Sequence, residues 1–373
     1  MPPNDSRFMR QAVRLARRGL GRTSPNPPVG AVVVAGGRVV ARGYHRGAGC
    51  PHGEIEALRA AGPRSRGATL YVTLEPCNHY GRTPPCTEAI LAAGVRRVVF
   101  GVRDPNPRVR GGGAARLRRR GIVVESGVEA DACAELVAAF SSLVTRGRPL
   151  VTLKLAASLD GRIATRTGAS RWITSAPARD LVHRLRNEYD AVMVGAGTVL
   201  ADDPELTCRL RGGRDPLRVI VDGRLRTPLT ARVVSAAAAP GTVIATTTRS
   251  GRKLDALRRR GVRVLTLPGR AATISLPALM RRLAADGVSS VLIEGGAVLA
   301  ATAVRARVVD RAFFFLASKL IGGDGVPMIG PLGVRTMDQT PALRVVRTKT
   351  LGPDLLVEAV PCERAPRRPK SAR

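Results

Sequence analysis

His52 and Glu54 stand two residues apart in "HGE", and Cys77 follows Glu75-Pro76 in "LEPC". Cys86 comes after a gap of eight residues, directly behind Pro84-Pro85. One imidazole and two thiolates suit zinc, and three protein ligands leave a fourth tetrahedral position for water. A metal ion there brings the pKa of such a water toward neutrality. A carboxylate beside a ligand can then carry protons without ligating, from the water to a ring nitrogen and a leaving amine. Hydrolytic deamination at an amidine-like ring carbon has these requirements, and Glu54 is the proton carrier it would use. Taken singly, each cysteine reads as a small buried hydrophobe and His52 as a helix cap. Four such residues in this order, each at a strand end or helix start, read better as one metal site. Cys50, two residues before His52, is a bystander to it, and Cys133, Cys208 and Cys362 have no histidine or cysteine close in sequence.

The elements that must position these residues follow from apolar periodicity. "FMRQAVRLARRG" has helical spacing, and "VGAVVVAGGRVVARGYH" reads as two strands joined at Gly36-Gly37. "HGEIEALRAAG" is a helix ending at Gly62, "ATLYVTLEPC" a buried strand and "CTEAILAAG" a helix ending at Gly94. His52 and Cys86 therefore each open a helix, where the positive end of the dipole favours thiolate over thiol. "VRRVVFGV", "AARLRRRG", "IVVESG" and a helix through "AELVAAFSSLVTRG" complete an α/β sandwich. A boundary falls at "TRGRP", and a second alternating series starts at "LVTLKLAASLDG". Its further strands are "DAVMVGAG", "LRVIVDG", "GTVIATTT", "VRVLTLP", "SSVLIEGG", "VVDRAFFFLA" and "LLVEAV". The expected organisation is a domain at 1–146, a second at 147–361 and a basic tail at 362–373.

Composition bounds the rest. The chain has 373 residues, too many for one ordinary core, and 44% are hydrophobic. No apolar run reaches the ~20 residues of a membrane span. Arginines interrupt the N-terminal amphipathic pattern, which speaks against a signal peptide and for the cytoplasm. The six cysteines are too sparse for a disulfide framework. The net charge of +33 alone points to nucleic acid, but all except five of the 61 basic residues are arginine, spread along the chain. Aromatics are only 3%, which leaves few stacking platforms for single strands. The expectation is no nucleic-acid and no membrane partner.

In the second half, "VGAGTVL" carries Gly195 and Gly197 but Leu200 where a third dinucleotide-fingerprint glycine would stand. "SSVLIEGGAVLAAT" is the better candidate: a strand ends at Glu294, Gly295-Gly296 let a ligand approach the backbone, and the amides of the following helix suit a phosphate.

Together "PNPPVGAVVV", "GYH", "HGEIEAL", "YVTLEPCNHYGRTPPCTEAI" and "DPNP" resemble the riboflavin-biosynthesis deaminase of the cytidine-deaminase-like superfamily. "KLAASLDGRIA", "SRWIT", "VGAGTVLADDPELTCR" and "IEGG" are similar to its fused reductase half, which is dihydrofolate-reductase-like. The resemblance covers nearly the whole chain and explains the long gap between the cysteines. It implies zinc on His52, Cys77 and Cys86 with Glu54 as proton shuttle. It also implies substrate contacts from Asn26, His45, His79 and Arg82, the last offering a planar fork for phosphate. For the second half it implies NADPH bordered by Ala156, Trp172, Thr198, Asp202, Gly223 and the turn Gly296, Ala297, Val298, Leu299, Ala300, Ala301 and Thr302. Ser170, Arg186, Leu206, Arg209 and Glu294 would face a small pyrimidine ribonucleotide, with Lys154 and Asp202 in polar catalytic roles. A homo-oligomer, dimer or tetramer, is the family expectation. Read without the resemblance, Asn26 is a turn residue, Asp202-Asp203-Pro204 a turn, Lys154 a solvated edge residue and Trp172 a core side chain. The competing functions are a deaminase acting on tRNA, which does not account for the cysteine gap, and a zinc-stabilised binding protein, which would need a fourth ligand.

Overall fold

In the computed structural model, the residues described are 4–80, 84–107, 109, 112–270 and 273–362. They form two compact units. One takes the chain to Leu150 together with Leu283–Ser289, the other Val151–Arg282 and the chain from Ser290.

The first unit runs α1 (Asp5–Ala16), β1 (Gly30–Ala35), β2 (Arg38–Tyr44), α2 (Gly53–Ala61), β3 (Thr69–Leu74), α3 (Cys86–Ala92), β4 (Arg97–Val102), α4 (Gly112–Arg119), β5 (Val123–Ser126) and α5 (Ala130–Arg146). Its sheet has the order β2-β1-β3-β4-β5. The β2-β1-β3 part is antiparallel and β3-β4-β5 is parallel. Gly36 and Gly37, at φ 53° and 73°, supply the left-handed backbone of the β1–β2 hairpin turn. Strands β3 and β4 are continuous apolar runs because helices cover both faces; Leu70, Val72, Val98 and Val99 are fully buried. Two helices sit directly on strand backbone at glycines. A Cβ on Gly30 would lie 2.1 Å from the Ala12 carbonyl oxygen of α1, and one on Gly43 would lie 2.4 Å from Ala57 N and 2.5 Å from Gly53 O of α2.

The second unit runs β6 (Leu150–Ser158), β7 (Arg162–Ala164), α6 (Ala176–Glu188), β8 (Ala191–Gly195), α7 (Ala196–Asp202), β9 (Leu217–Val221), β10 (Thr242–Thr246), α8 (Arg252–Arg259) and β11 (Arg263–Thr266). It continues with β12 (Gly269–Arg270), β13 (Thr273–Ile274), α9 (Leu276–Ala285), β14 (Ser290–Glu294), α10 (Ala297–Arg305), β15 (Arg311–Ala317), β16 (Val326–Pro327), β17 (Leu343–Leu351) and β18 (Asp354–Pro361). The nine-stranded sheet has the order β11-β10-β9-β8-β14-β6-β15-β18-β17. Strands β14-β8-β9-β10-β11 and the β6–β15 pair are parallel, and β18 and β17 add antiparallel to β15. Each strand named from the sequence is present. Strand β17 was not foreseen: every residue of it but Leu351 is exposed, so no buried alternation marks it. The basic tail lies outside the described residues from 363 onward.

Candidate active sites

His52 occupies the cap position of α2 with extended backbone, at φ −67° and ψ 159°, but its side chain caps nothing. The imidazole is turned instead toward the cysteines. Its Nδ1 lies 3.2 Å from Cys86 Sγ and 3.7 Å from Cys77 Sγ. Cys77 follows β3, and Cys86 is the first residue of α3, where its backbone N–H donates to Cys77 Sγ at 3.2 Å. The three donor atoms lie within 4.8 Å of one another, the only such trio found among the described residues.

Electrostatics fit a cation here. The hydrogen bond from Cys86, with His52 and the Cys86 amide, pulls the Cys77 thiol down to about 4, against the effect of burial. Cys86 is pushed up, first by Cys77 and then by burial. The bond to Cys77 raises His52. Two thiols so close cannot both ionise unaided, and a divalent ion with affinity for N and S donors allows both to do so. Glu54 stands one step into α2 and is 3% exposed; burial raises its carboxyl to about 7. Its Oε2 is buried and without a hydrogen-bond partner. A buried oxygen in that condition carries a free-energy penalty unless a bound group completes it.

A cavity of about 420 Å³ adjoins this cluster and includes His52, Glu54 and Cys77 in its wall. Asn26, His45 and His79, named from the sequence, line the same cavity. The Asn26 amide meets His45 Nε2 at 3.3 Å, while His45 Nδ1 bonds the Pro51 carbonyl at 3.0 Å. Asn26 is also a turn residue, its N–H donating to Thr23 O at 2.8 Å. Arg82 lies outside the described residues. Sequence reasoning gave no role to Glu75, Asp104, Asn106 and Phe140, which also line the cavity. "DPNP" directly follows β4, parallel to the strand that delivers Cys77, and that adjacency was the available signal. Phe140 comes from α5 and had none. Cys50, a bystander to the metal donors, is nevertheless in the cavity wall.

In the second unit a polar cluster is buried at the sheet. Arg186 of α6 forks onto Glu294 at the end of β14, with Nε–Oε1 at 2.6 Å and Nη2–Oε2 at 3.0 Å. Lys154 Nζ of β6 lies 3.7 Å from Glu294 Oε2, and only 14% of its side chain is exposed. Strand β6 is interior to the sheet, so Lys154 is no solvated edge residue. Burial would raise the Glu294 carboxyl, but Arg186 and Lys154 hold it down at about 2. Burial lowers the Lys154 ammonium, opposed by Glu294. Ala156 is two residues along β6 from Lys154 and so shares its face.

The turn after Glu294 leads into α10, whose cap residue is Gly296. Gly296 N donates to Thr198 Oγ1 of α7 at 3.3 Å, which brings two of the sequence-named positions together. Ala297 and Val298 begin the helix, with Val298 77% exposed, whereas Leu299, Ala300 and Ala301 turn inward. Thr302 Oγ1 bonds the Val298 carbonyl in its own helix. The first amides of such a helix have no helical acceptors, which suits a dinucleotide phosphate. Gly223 follows β9 and its carbonyl accepts Thr246 and Thr247 hydroxyls at 3.1 and 2.8 Å. Trp172 is 62% exposed with the Arg179 guanidinium over its ring, contrary to a core reading. Asp202 is exposed at the end of α7, and its carbonyl accepts from Arg171 at 3.0 Å. Ser170 is half-buried, Arg209 exposed, and Leu206 buried in the apolar core beside Val192 and Ile220.

Fold and site together define a zinc-binding deaminase of the cytidine-deaminase type joined to a reductase. The comparisons agree. Residues 2–102 match the cytidine and deoxycytidylate deaminase zinc-binding region, and residues 149–357 match the RibD C-terminal domain. The riboflavin biosynthesis protein RibD of Aquifex aeolicus is 43% identical over 354 residues, covering 95% of this chain and 97% of that protein. RibD of Escherichia coli K12 is 39% identical over 95% of this chain and 99% of its own length. The crystal structure of a diaminohydroxyphosphoribosylaminopyrimidine deaminase/5-amino-6-(5-phosphoribosylamino)uracil reductase from Thermotoga maritima superposes with a TM-score of 0.86 at 40% identity, covering 96% and 99% of the two chains. The chain belongs to the RibD family of riboflavin-biosynthesis proteins. It is a bifunctional deaminase and reductase, with zinc as the metal of its first half and NADPH as the cofactor of its second.

Proposed function

We propose that residues 1–146 hydrolyse 2,5-diamino-6-(5-phosphoribosylamino)pyrimidin-4-one and that residues 147–361 reduce the deaminated ribosyl product to 5-amino-6-(5-phosphoribitylamino)uracil. The observation that carries the first step is the partnerless buried Glu54 Oε2 beside the His52, Cys77 and Cys86 donors. His52, Cys77 and Cys86 would hold zinc, which when bound supplies an activated water. Glu54 takes a proton from the nucleophile and returns it to the ring nitrogen and the departing amine. Asn26, His45 and His79 orient the pyrimidine edge, and Arg82 meets the phosphate.

NADPH supplies the hydride of the second step, held at Ala156, Trp172, Thr198, Asp202, Gly223 and the residues 296–302. Leu299, Ala300 and Ala301 are buried, so their part would be played by helix backbone. Ring opening of the ribosylamine exposes an imine-like carbon for reduction. Lys154 and Asp202 manage the proton and the sugar hydroxyls. Ser170, Arg186, Arg209 and Glu294 face the substrate, and Leu206, with its side chain buried, contributes through its backbone. The chain would work in the cytoplasm as a homo-oligomer, dimer or tetramer; the exposed edge strand β17 offers a pairing surface for one.

One coupled assay tests the proposal. Zinc-loaded protein given the diaminopyrimidine nucleotide and NADPH should release ammonia and then oxidise NADPH. If neither signal appears, and ammonia is released from tRNA instead, the reading is wrong.

A further inference from the structure

The segment between α7 and β9 carries Leu206 and Arg209, both given substrate roles above, and it is tied down residue by residue. The Glu205 carbonyl accepts Arg218 Nε at 2.8 Å, and the Cys208 N–H donates to Asp215 Oδ1 at 2.8 Å. Leu206 takes a positive φ of 56° with its side chain 3% exposed, an anchor at a conformation that L-residues avoid. Arg232 pairs with Glu205 and donates its N–H to Asp203, and further tethers come from one helix. His183 and Arg186 are three apart on α6 and so lie on one face. Arg186 Nη1 donates to the Thr207 carbonyl at 3.0 Å while its Nε and Nη2 grip Glu294. His183 Nδ1 accepts the Arg209 backbone N–H at 3.4 Å, and the His183 carbonyl accepts the Cys208 thiol at 3.5 Å. The Arg209 side chain, by contrast, is 59% exposed, its Nη2 3.5 Å from Glu205 Oε2.

We propose that His183 is a positioning residue of the reductase site: by accepting the Arg209 N–H it fixes the backbone from which the Arg209 guanidinium faces the substrate. The inference rests on the reductase reading and on the substrate role of Arg209. It requires an imidazole unprotonated at Nδ1. Burial, with Arg186 and Arg209 adding to it against Glu294 and the Thr207 backbone, lowers the His183 pKa, the direction that favours an unprotonated Nδ1. A backbone held in this way is equally placed in the ground state and the transition state. Its loss should therefore raise KM and leave kcat.

The test is steady-state kinetics of the full chain with NADPH and 5-amino-6-(5-phosphoribosylamino)uracil. His183→Asn puts an amide atom where Nδ1 stood, whereas His183→Gln and His183→Leu leave that point without an acceptor. Leu and Gln should raise KM for the nucleotide about fivefold, the effect of one lost hydrogen bond, with kcat and the KM for NADPH unchanged. Asn should restore the wild-type KM. An unchanged nucleotide KM in both Leu and Gln variants overturns the proposal. So does a joint fall of kcat and NADPH affinity in all three, Asn included, which would mark His183 as merely structural. Should the Leu variant not fold, the Gln and Asn pair carries the same comparison. Failure of the underlying reading looks different: wild-type protein would not oxidise NADPH, or Arg209→Ala would leave the nucleotide KM alone, and either result takes this inference with it.

Discussion

In the proposed deamination Glu54 is the proton carrier, and its environment suits a carboxyl in that part: it is buried, and its pKa is raised to about 7. Its carboxylate is buried in the wall of the cavity that adjoins His52, Cys77 and Cys86, and it is not part of that candidate donor trio. Glu54→Gln should retain zinc, measured by metal analysis, and lose deamination by about 10²–10⁴-fold, while NADPH oxidation on the deaminated substrate persists. Loss of zinc from that variant would make Glu54 a ligand. In the other half, Glu294 holds two buried cations. Glu294→Ala leaves Lys154 and Arg186 without their counter-charge, and urea unfolding should show a loss of about 3–5 kcal/mol. The pH dependence has a definite sign. The Glu294 pKa is depressed from 4.5 to about 2 on folding, so its contribution is full above about 4.5 and is lost as pH falls toward 2. The variant's stability should therefore converge on that of wild type in strong acid, and a gap that stays constant from pH 7 to pH 3 would refute this account.

At the scale of elements, the zinc site depends on how closely α2 lies on its sheet. The helix carries Glu54 and is opened by His52, and it touches β2 at Gly43, where a side chain would collide with Ala57 N and Gly53 O. These are backbone atoms and cannot rotate aside. Gly43→Ala should lift α2, destabilise the first unit by about 1–3 kcal/mol and weaken zinc retention against a chelator. Equal zinc retention in the folded variant would show that the helix approach is not what places His52. Gly53 is tight in the same way: a Cβ there would lie 2.7 Å from the Val29 carbonyl, which also accepts the His45 N–H at 2.8 Å. The glycine in "HGE" is thus a packing feature linked to the His45 segment.

For the molecule as a whole, the two chemistries sit in two compact units, each with its own sheet. The metal should therefore matter to only one of them. Chelation of zinc is expected to abolish ammonia release and leave NADPH oxidation intact when the deaminated substrate is supplied; a parallel loss of both would show that the second activity needs the first unit's metal. The net charge of +33 is dispersed arginine, and many of these side chains form ion pairs, among them Arg97 with Asp5 and Glu125, and Arg347 with Glu358.

Much of this was legible in the residues. Strands and helices of the first unit follow from apolar periodicity and glycine stops, because each buries one strong face. The metal donors follow from ligand types at strand ends and helix starts, since local structure there limits where the side chains can point. Strand β17 was not legible, because an edge strand exposed on both faces has no hydrophobic pattern. Only the tertiary structure decided which residues share a cavity. Phe140 reaches it from α5, more than fifty residues beyond Cys86. Nor could periodicity show that Lys154 lies inside the sheet, or that Arg186 and Glu294, 108 residues apart, form one buried pair. Sequence spacing constrains neighbours along a helix or strand. Contacts across a sheet depend on strand order, and strand order is set by the burial of the whole chain.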